Sequence, residues 1–177
     1  YAKQRNFALR LVDSGWIVMV DADEIVPTQL AQEIMEFVNS EKGEAHGMAL
    51  VRRKDFFHGV WLKHAGFYPT WLPRLMKAGE VDVVRSINEQ YLSRSPTYSL
   101  EGHLDHFPFN KGVEWWHIRH VRYAKMEAAL LLNRKRETLS TLLVRTINSD
   151  FTKRRAALKD LSFRIPFRST LLWLYLV

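Results

Sequence analysis

WIVMVDADE, residues 16–24, runs five apolar residues straight into three acids. The apolar run does not alternate with polar residues, which is the pattern of a strand buried on both faces. Asp21, Asp23 and Glu24 therefore crowd the end of a buried element. Like charges repel, and a carboxylate at the mouth of an apolar core is costly unless a positive group pairs with it. Two readings follow: a solvated turn before a helix, or a site for a metal ion and phosphate.

Working outward, residues 2–14 read as a helix with Phe7, Leu11 and Val12 on one side and Gly15 placed as a left-handed C-cap. Pro27 and Thr28 open a second helix, with Thr28 as N-cap and Leu30, Ile34, Phe37 and Val38 as its apolar face, ending near Glu41-Lys42-Gly43. Residues 45–51 read as the next strand. Helix, strand, helix, strand predicts an α/β fold, a mainly parallel sheet flanked by helices. Ligands of such sheets sit beyond the carboxyl ends of the strands, where the three acids fall. Residues 52–110 are rich in aromatic residues, Gly and Pro, and predict loops with short strands around Val81–Val84 and 90–92. From Val113 the spacing of Val113, Trp116, His117, His120, Val121 and Ala124 is helical, with further helices expected over 138–147 and 151–158 before Pro166. The expected division is an α/β region over 1–110 and a helical, basic extension over 111–177.

With 177 residues and 47% hydrophobic content, the chain can bury a core and is not generally disordered. It has no cysteine, which excludes disulfide scaffolds, thiolate metal sites and thiol nucleophiles. The net charge of +7 is uneven: residues 1–110 carry 12 basic and 14 acidic groups, residues 111–177 carry 14 and 5. In the tail, Lys153, Arg154, Arg155, Lys159, Arg164 and Arg168 accompany Phe163, Phe167, Leu171, Leu172, Trp173 and Leu174. That pairing suits an anionic membrane surface, a helix docked on its own core being the plainer alternative; nucleic acid does not call for so apolar an end. The nine uncharged residues that end the sequence are too few for a span, which needs about 20.

Asp21 and Asp23 are separated by one small residue, so in an extended segment both carboxylates address one ligand. Paired oxygens suit Mg²⁺ or Mn²⁺, which use one or two protein carboxylates plus phosphate oxygens. His103 and His106 stand three apart without the pattern of a zinc site. His117 and His120, beside Trp115 and Trp116, read as packing residues. Trp61, His64, Tyr68, Trp71 and Arg74 suit either an acceptor site, by ring stacking and phosphate pairing, or the packing of a long loop.

Arg5-Asn6-Phe7-Ala8-Leu9, the apolar run, Asp21-Ala22-Asp23-Glu24 and Pro27 resemble the central part of family 2 glycosyltransferases with the GT-A fold. Gly59, Trp61, Gly66, Tyr68-Pro69 and Arg74-Leu75 narrow the resemblance to the branch holding lipopolysaccharide core β-1,4-glucosyltransferases. It covers about residues 3–125. The resemblance implies that Asp21 and Asp23 hold the divalent cation and the sugar nucleotide, Asp23 as metal ligand and Asp21 sharing the ion or facing the ribose. It implies Arg5 near the nucleotide phosphates, Arg74 in a binding role, and His106 as a further ligand or diphosphate contact. The family's Val-His-Glu triplet falls on Ile87-Asn88-Glu89, which makes Glu89 the candidate general base and departs from the family at Asn88. Glu24 is the weaker candidate, its neighbours suggesting that it braces the following helix.

The resemblance thus implies an inverting, metal-dependent transferase, moving a hexose from a nucleotide diphosphate sugar, UDP-linked by expectation, to a saccharide or lipid-linked acceptor of lipopolysaccharide or another cell-surface glycan. The expected place is cytoplasmic, peripheral on the inner face of a bacterial inner membrane. The alternative is a non-catalytic membrane- or nucleic-acid-binding module derived from such an enzyme. The family pattern also leads one to expect an upstream nucleotide-binding part, so activity is expected of a longer parent protein rather than of these residues alone.

Overall fold

A computed structural model describes residues 2–64, 68–84, 89–133, 138–147, 151–162 and 164–170. Gly66, Ile87, Asn88, Phe163 and 171–174 lie outside the described residues, as do the side chains of Lys153, Arg155 and Lys159. The chain divides into two compact units, Tyr1–Ala129 and Leu130–Val177.

The first unit opens with α1 (Ala2–Leu9), shorter than the expected 2–14. Its buried residue is Leu9, while Phe7 and Leu11 are exposed. Gly15 turns the chain at φ +87° into β1 (Trp16–Val18). The turn Asp21–Glu24 leads to β2 (Glu24–Ile25), then α2 (Thr28–Val38) and α3 (Glu41–Ala45). Helix α2 is N-capped by Pro27, without a side-chain hydrogen bond, so Thr28 is its first helical residue and not its cap. There follow β3 (Met48–Phe57), β4 (Val60–Trp61), β5 (Thr70–Lys77), β6 (Val81–Val84), β7 (Gln90–Ser93), β8 (Thr97–His106) and α4 (Val113–Asn133).

The main sheet runs β1-β5-β3-β8-β2, with β4 on β3, and β6 pairs with β7 separately. Among the described residues only β3 and β8 pair in parallel; the β1–β5, β3–β5, β3–β4 and β2–β8 pairs are antiparallel. The expectation of a mainly parallel sheet is therefore corrected to a mixed, mainly antiparallel one with flanking helices. The reason is the stretch 70–106, which contains two long strands where loops were expected. Pro73 does not break β5, because it lies beside a register shift in the β3–β5 ladder, where a missing N–H is tolerated. The doubly buried reading of WIVMV is also corrected: the strand ends at Val18, pairs only with β5 among the described residues, and leaves Val18 and Val20 exposed.

The core lies between the sheet and α2. Leu30, Ile34 and Phe37, one helical face, pack on Ala49, Val51, Leu75, Leu100 and Leu104. Glu33 fixes the helix to β8 by accepting from the amides of Glu101 (2.7 Å) and Gly102 (2.8 Å). Gly102 permits this approach, since a Cβ there would come within 2.6 Å of the Glu33 carboxylate and 2.8 Å of Leu30. A second cluster gathers Leu9, Met48, Met76, Val81 and Val83. Asn6 joins α1 to β6 as a strand would: its amide donates to Val83 O (2.7 Å) and accepts from Val83 N (2.8 Å).

The second unit holds the end of α4 and the packed pair α5 (Leu139–Thr146) and α6 (Phe151–Ser162), burying Leu142 and Ala157. Thr138 caps α5, accepting from Thr141 N at 3.3 Å. No helix among the described residues is long and apolar enough to cross a membrane.

Candidate active site

A cleft of about 680 Å³ opens in the first unit where the turn before β2, the ends of β3 and β8, and α4 meet. Arg5, Asp21, Asp23, Glu89 and His106, drawn from four separate stretches, all line it. Antiparallel pairing of Glu24 with His106, and a hydrogen bond from Phe107 N to Asp23 O (2.8 Å), hold the acid turn against the end of β8.

The turn itself separates the two aspartates. Glu24 N donates to Asp21 O (3.0 Å), closing residues 21–24, so the extended geometry that aims both carboxylates one way does not apply. The Asp21 carboxylate is taken by two guanidiniums, accepting from Arg5 Nη2 at 2.9 Å and Arg74 Nη2 at 2.7 Å. Burial alone raises the Asp21 pKa, but Arg74 and Arg5 outweigh it and hold the group below the usual carboxylate range. Arg74 also donates to Glu24 Oε1 (2.5 Å), and Asp21 N donates to Glu24 Oε2 (3.0 Å). Glu24 is buried with Arg74 and braces this turn rather than the following helix. Arg74 lies behind the cleft and is not one of its lining residues. On the cleft side, Arg5 Nε meets Glu89 Oε1 at 3.3 Å. The Arg5 pKa is raised: desolvation lowers it, but neighbouring Tyr91, Asp21 and Glu89 prevail.

Asp23 faces different partners, with its Oδ2 lying 3.6 Å from His106 Nε2 and 3.8 Å from Arg119 Nη1. The other nitrogen of His106, Nδ1, is 2.5 Å from Asp55 Oδ1. Asp55 also pairs with Arg53 Nε at 2.9 Å. Burial raises the Asp55 pKa, but the His106 hydrogen bond and Arg53 bring it below the usual value. Asp55 thus fixes the imidazole and leaves Nε2 turned to Asp23, the carboxylate–histidine arrangement that orients a ligating nitrogen. His103, an odd number of residues along the same strand, pairs instead with Asp105 at 3.7 Å. The two histidines do not meet.

A divalent ion fits this corner in part. Among the described residues no group of three or more His, Asp or Glu side chains is arranged to hold a metal. Asp23 and His106 offer one oxygen and one nitrogen, and an ion on two protein ligands needs phosphate oxygens and water for the remainder, as Mg²⁺ commonly does. Asp21, already accepting from two arginines, is poorly disposed to share it.

The far wall is α4 and the turn before it. Phe109 packs on Phe57 (ring centroids 4.9 Å) and on Trp116 (5.3 Å), and Trp116 lies 3.9 Å from the His120 ring. Lys111 Nζ and the Arg119 guanidinium sit 4.8 and 4.7 Å from the Trp115 ring. His120, expected as packing, lines the cleft, and His117 is exposed. By contrast Trp61, Tyr68 and Trp71 do not line it: Trp61 packs edge-on to Tyr68 (5.1 Å) and Trp71 lies under Arg52 (5.7 Å).

Sequence reasoning missed Asp55, Arg53 and the α4 wall. Asp55 had a signal: the run Arg52-Arg53-Lys54-Asp55 inside an otherwise apolar strand is costly unless those charges have partners. No protein-family model matches the chain.

Proposed function

We propose that these residues are part of a metal-dependent, inverting glycosyltransferase of GT-A type, transferring a hexose from a nucleotide diphosphate sugar to a saccharide or lipid-linked acceptor. The observation that supports this reading is the convergence of Arg5, Asp21, Asp23, Glu89 and His106 on one cleft. A sheet with flanking helices is compatible with it and does not by itself identify it. Asp23 and His106 would hold Mg²⁺ or Mn²⁺, which when bound offsets charge on the diphosphate leaving group. Asp21 holds Arg5, and Arg5 in turn positions Glu89 at the cleft surface. Glu89 takes the proton of an acceptor hydroxyl as its oxygen bonds to the anomeric carbon. The bond from that carbon to the diphosphate breaks in the same step, so configuration inverts. The basic and apolar residues of 151–177 are read as a peripheral attachment to an anionic membrane, supported by their sequence pattern.

The test is transfer by the full-length parent protein with UDP-hexose donors. Asp23→Ala is expected to lower turnover at least a thousandfold, on the order of the largest effects of removing a group that stabilises developing charge, while leaving the melting temperature within a few degrees. Undiminished turnover in EDTA would overturn the metal, and a product retaining the donor's anomeric configuration would overturn the single displacement through Glu89. A parent protein that neither binds nor turns over any sugar nucleotide leaves the non-catalytic module as the better account.

A further inference from the structure

Of the cations lining the cleft, the two read from the strand side are already in use. Arg5 is held by Asp21 and Glu89, and Arg53 by Asp55. Arg119 and Lys111 are different. The carboxylate nearest Arg119 is Asp23 at 3.8 Å, beyond hydrogen-bond range; its Nε, like those of Arg53 and Arg74, is buried without a hydrogen-bond partner, but unlike them it has no hydrogen bond to any carboxylate among the described residues. Lys111 has no carboxylate partner among the described residues and sits over the Trp115 ring. A buried guanidinium N–H is costly to leave unmade, so its geometry makes sense with an acceptor in the cleft. Trp115, between the two cations, limits their freedom by contact with both.

We propose that Arg119 and Lys111 form the diphosphate-binding subsite of this cleft, the task that the family resemblance implies for Arg5. The proposal rests on the reading of the donor as a nucleotide diphosphate sugar, and it adds where the diphosphate lies: between α4 and Asp23. The planar guanidinium of Arg119 offers Nε and Nη2 on one edge, which suits two oxygens of a phosphate, while Lys111 supplies a second point of charge. Four carboxylates, Asp21, Asp23, Asp55 and Glu89, also line the cleft. Asp21, Asp55 and Glu89 are each paired with arginine, which leaves Asp23 as the acid facing the anion and accounts for the need of a cation between them.

The experiment measures binding of inorganic pyrophosphate, and separately of UDP-glucose, each with Mg²⁺, to the full chain by calorimetry. Wild type is compared with Arg119→Ala, Arg119→Lys, Lys111→Ala and the exposed control Arg94→Ala, with thermal melts for each. Loss of one charge-assisted contact predicts about tenfold to a hundredfold weaker pyrophosphate binding for Arg119→Ala, partial recovery in Arg119→Lys, a few-fold loss for Lys111→Ala and none for Arg94→Ala. Wild type that does not bind pyrophosphate, or an Arg119→Ala variant that binds it equally, overturns the subsite. If Arg119→Ala keeps UDP-glucose affinity, the subsite fails and the donor reading stands. If pyrophosphate binding follows Arg119 but UDP-glucose does not bind, the subsite stands and the donor reading fails. Flotation with phosphatidylglycerol vesicles covers a lipid phosphate source: Arg119-dependent flotation without Arg119-dependent pyrophosphate binding assigns this cation to a membrane and overturns the proposal.

Discussion

The two walls of the cleft use charge in opposite ways. On the strand side, Arg5 and Arg74 are matched by Asp21, Glu24 and Glu89, so that the charges satisfy one another before any ligand arrives. On the α4 side, Arg119 and Lys111 rest on an aromatic ring and have no hydrogen-bonded carboxylate among the described residues. The first arrangement fixes a turn; the second suits capture of an anion. Charge near a cleft is therefore a poor guide to binding until its existing partners are counted.

The largest expected effect comes from breaking the strand-side network at its most buried member. Arg74 and the Glu24 side chain are 7% and 1% exposed, so removing the guanidinium leaves a buried carboxylate uncompensated. Arg74→Met is expected to cost about 3–5 kcal/mol in urea unfolding. The double variant Arg74→Met with Glu24→Leu should recover much of that, because two apolar groups replace the pair. A single variant as stable as wild type would mean the network does not organise the turn.

That network also marks the limit of what the sequence discloses. The apolar face of α2, the bounds of β6 and the start of α4 at Val113 were legible, because each depends on local periodicity. The acids at the strand end were legible as a cluster, but not their directions, since a turn closed by Asp21 O and Glu24 N replaced the extended segment. Strands β5 and β8 escaped notice for a related reason. Their ends carry Trp71 and His106, whose partners Arg52 and Asp55 lie on β3 and on no local pattern. The α4 wall was read as core because aromatic residues at helical spacing usually are core; here Trp115 is 40% exposed.

Acid should distinguish the walls without mutation. Asp21 and Asp55 both have folded pKa values lowered from the ordinary carboxylate value. A lowered folded pKa means the unfolded chain binds more protons as acid is added. The stabilisation is therefore complete above about pH 4, the unfolded carboxylate range, and is lost as pH falls through the lower folded values. Urea midpoints measured from pH 7 down to pH 2.5 should stay level and then drop below about pH 4. Asp21→Asn should flatten part of that drop, and an unchanged slope would count against the Asp21 pairing.

The smallest effect is expected where geometry looks just as good. Arg94 Nη2 meets Asp82 Oδ2 at 2.7 Å, the same distance as Arg74 Nη2 to Asp21 Oδ2. Arg94 also donates to Gly79 O. Yet the Arg94 and Asp82 side chains are 59% and 58% exposed, against 7% for Arg74. Water already solvates the exposed charges, salt screens them, and holding two long side chains in one geometry costs entropy. Arg94→Ala is expected to change stability by less than about 1 kcal/mol, and 1 M NaCl should remove most of any difference. A cost comparable to that of Arg74→Met would show that distance, not burial, sets the worth of these pairs, and the contrast between the two walls would lose its physical basis.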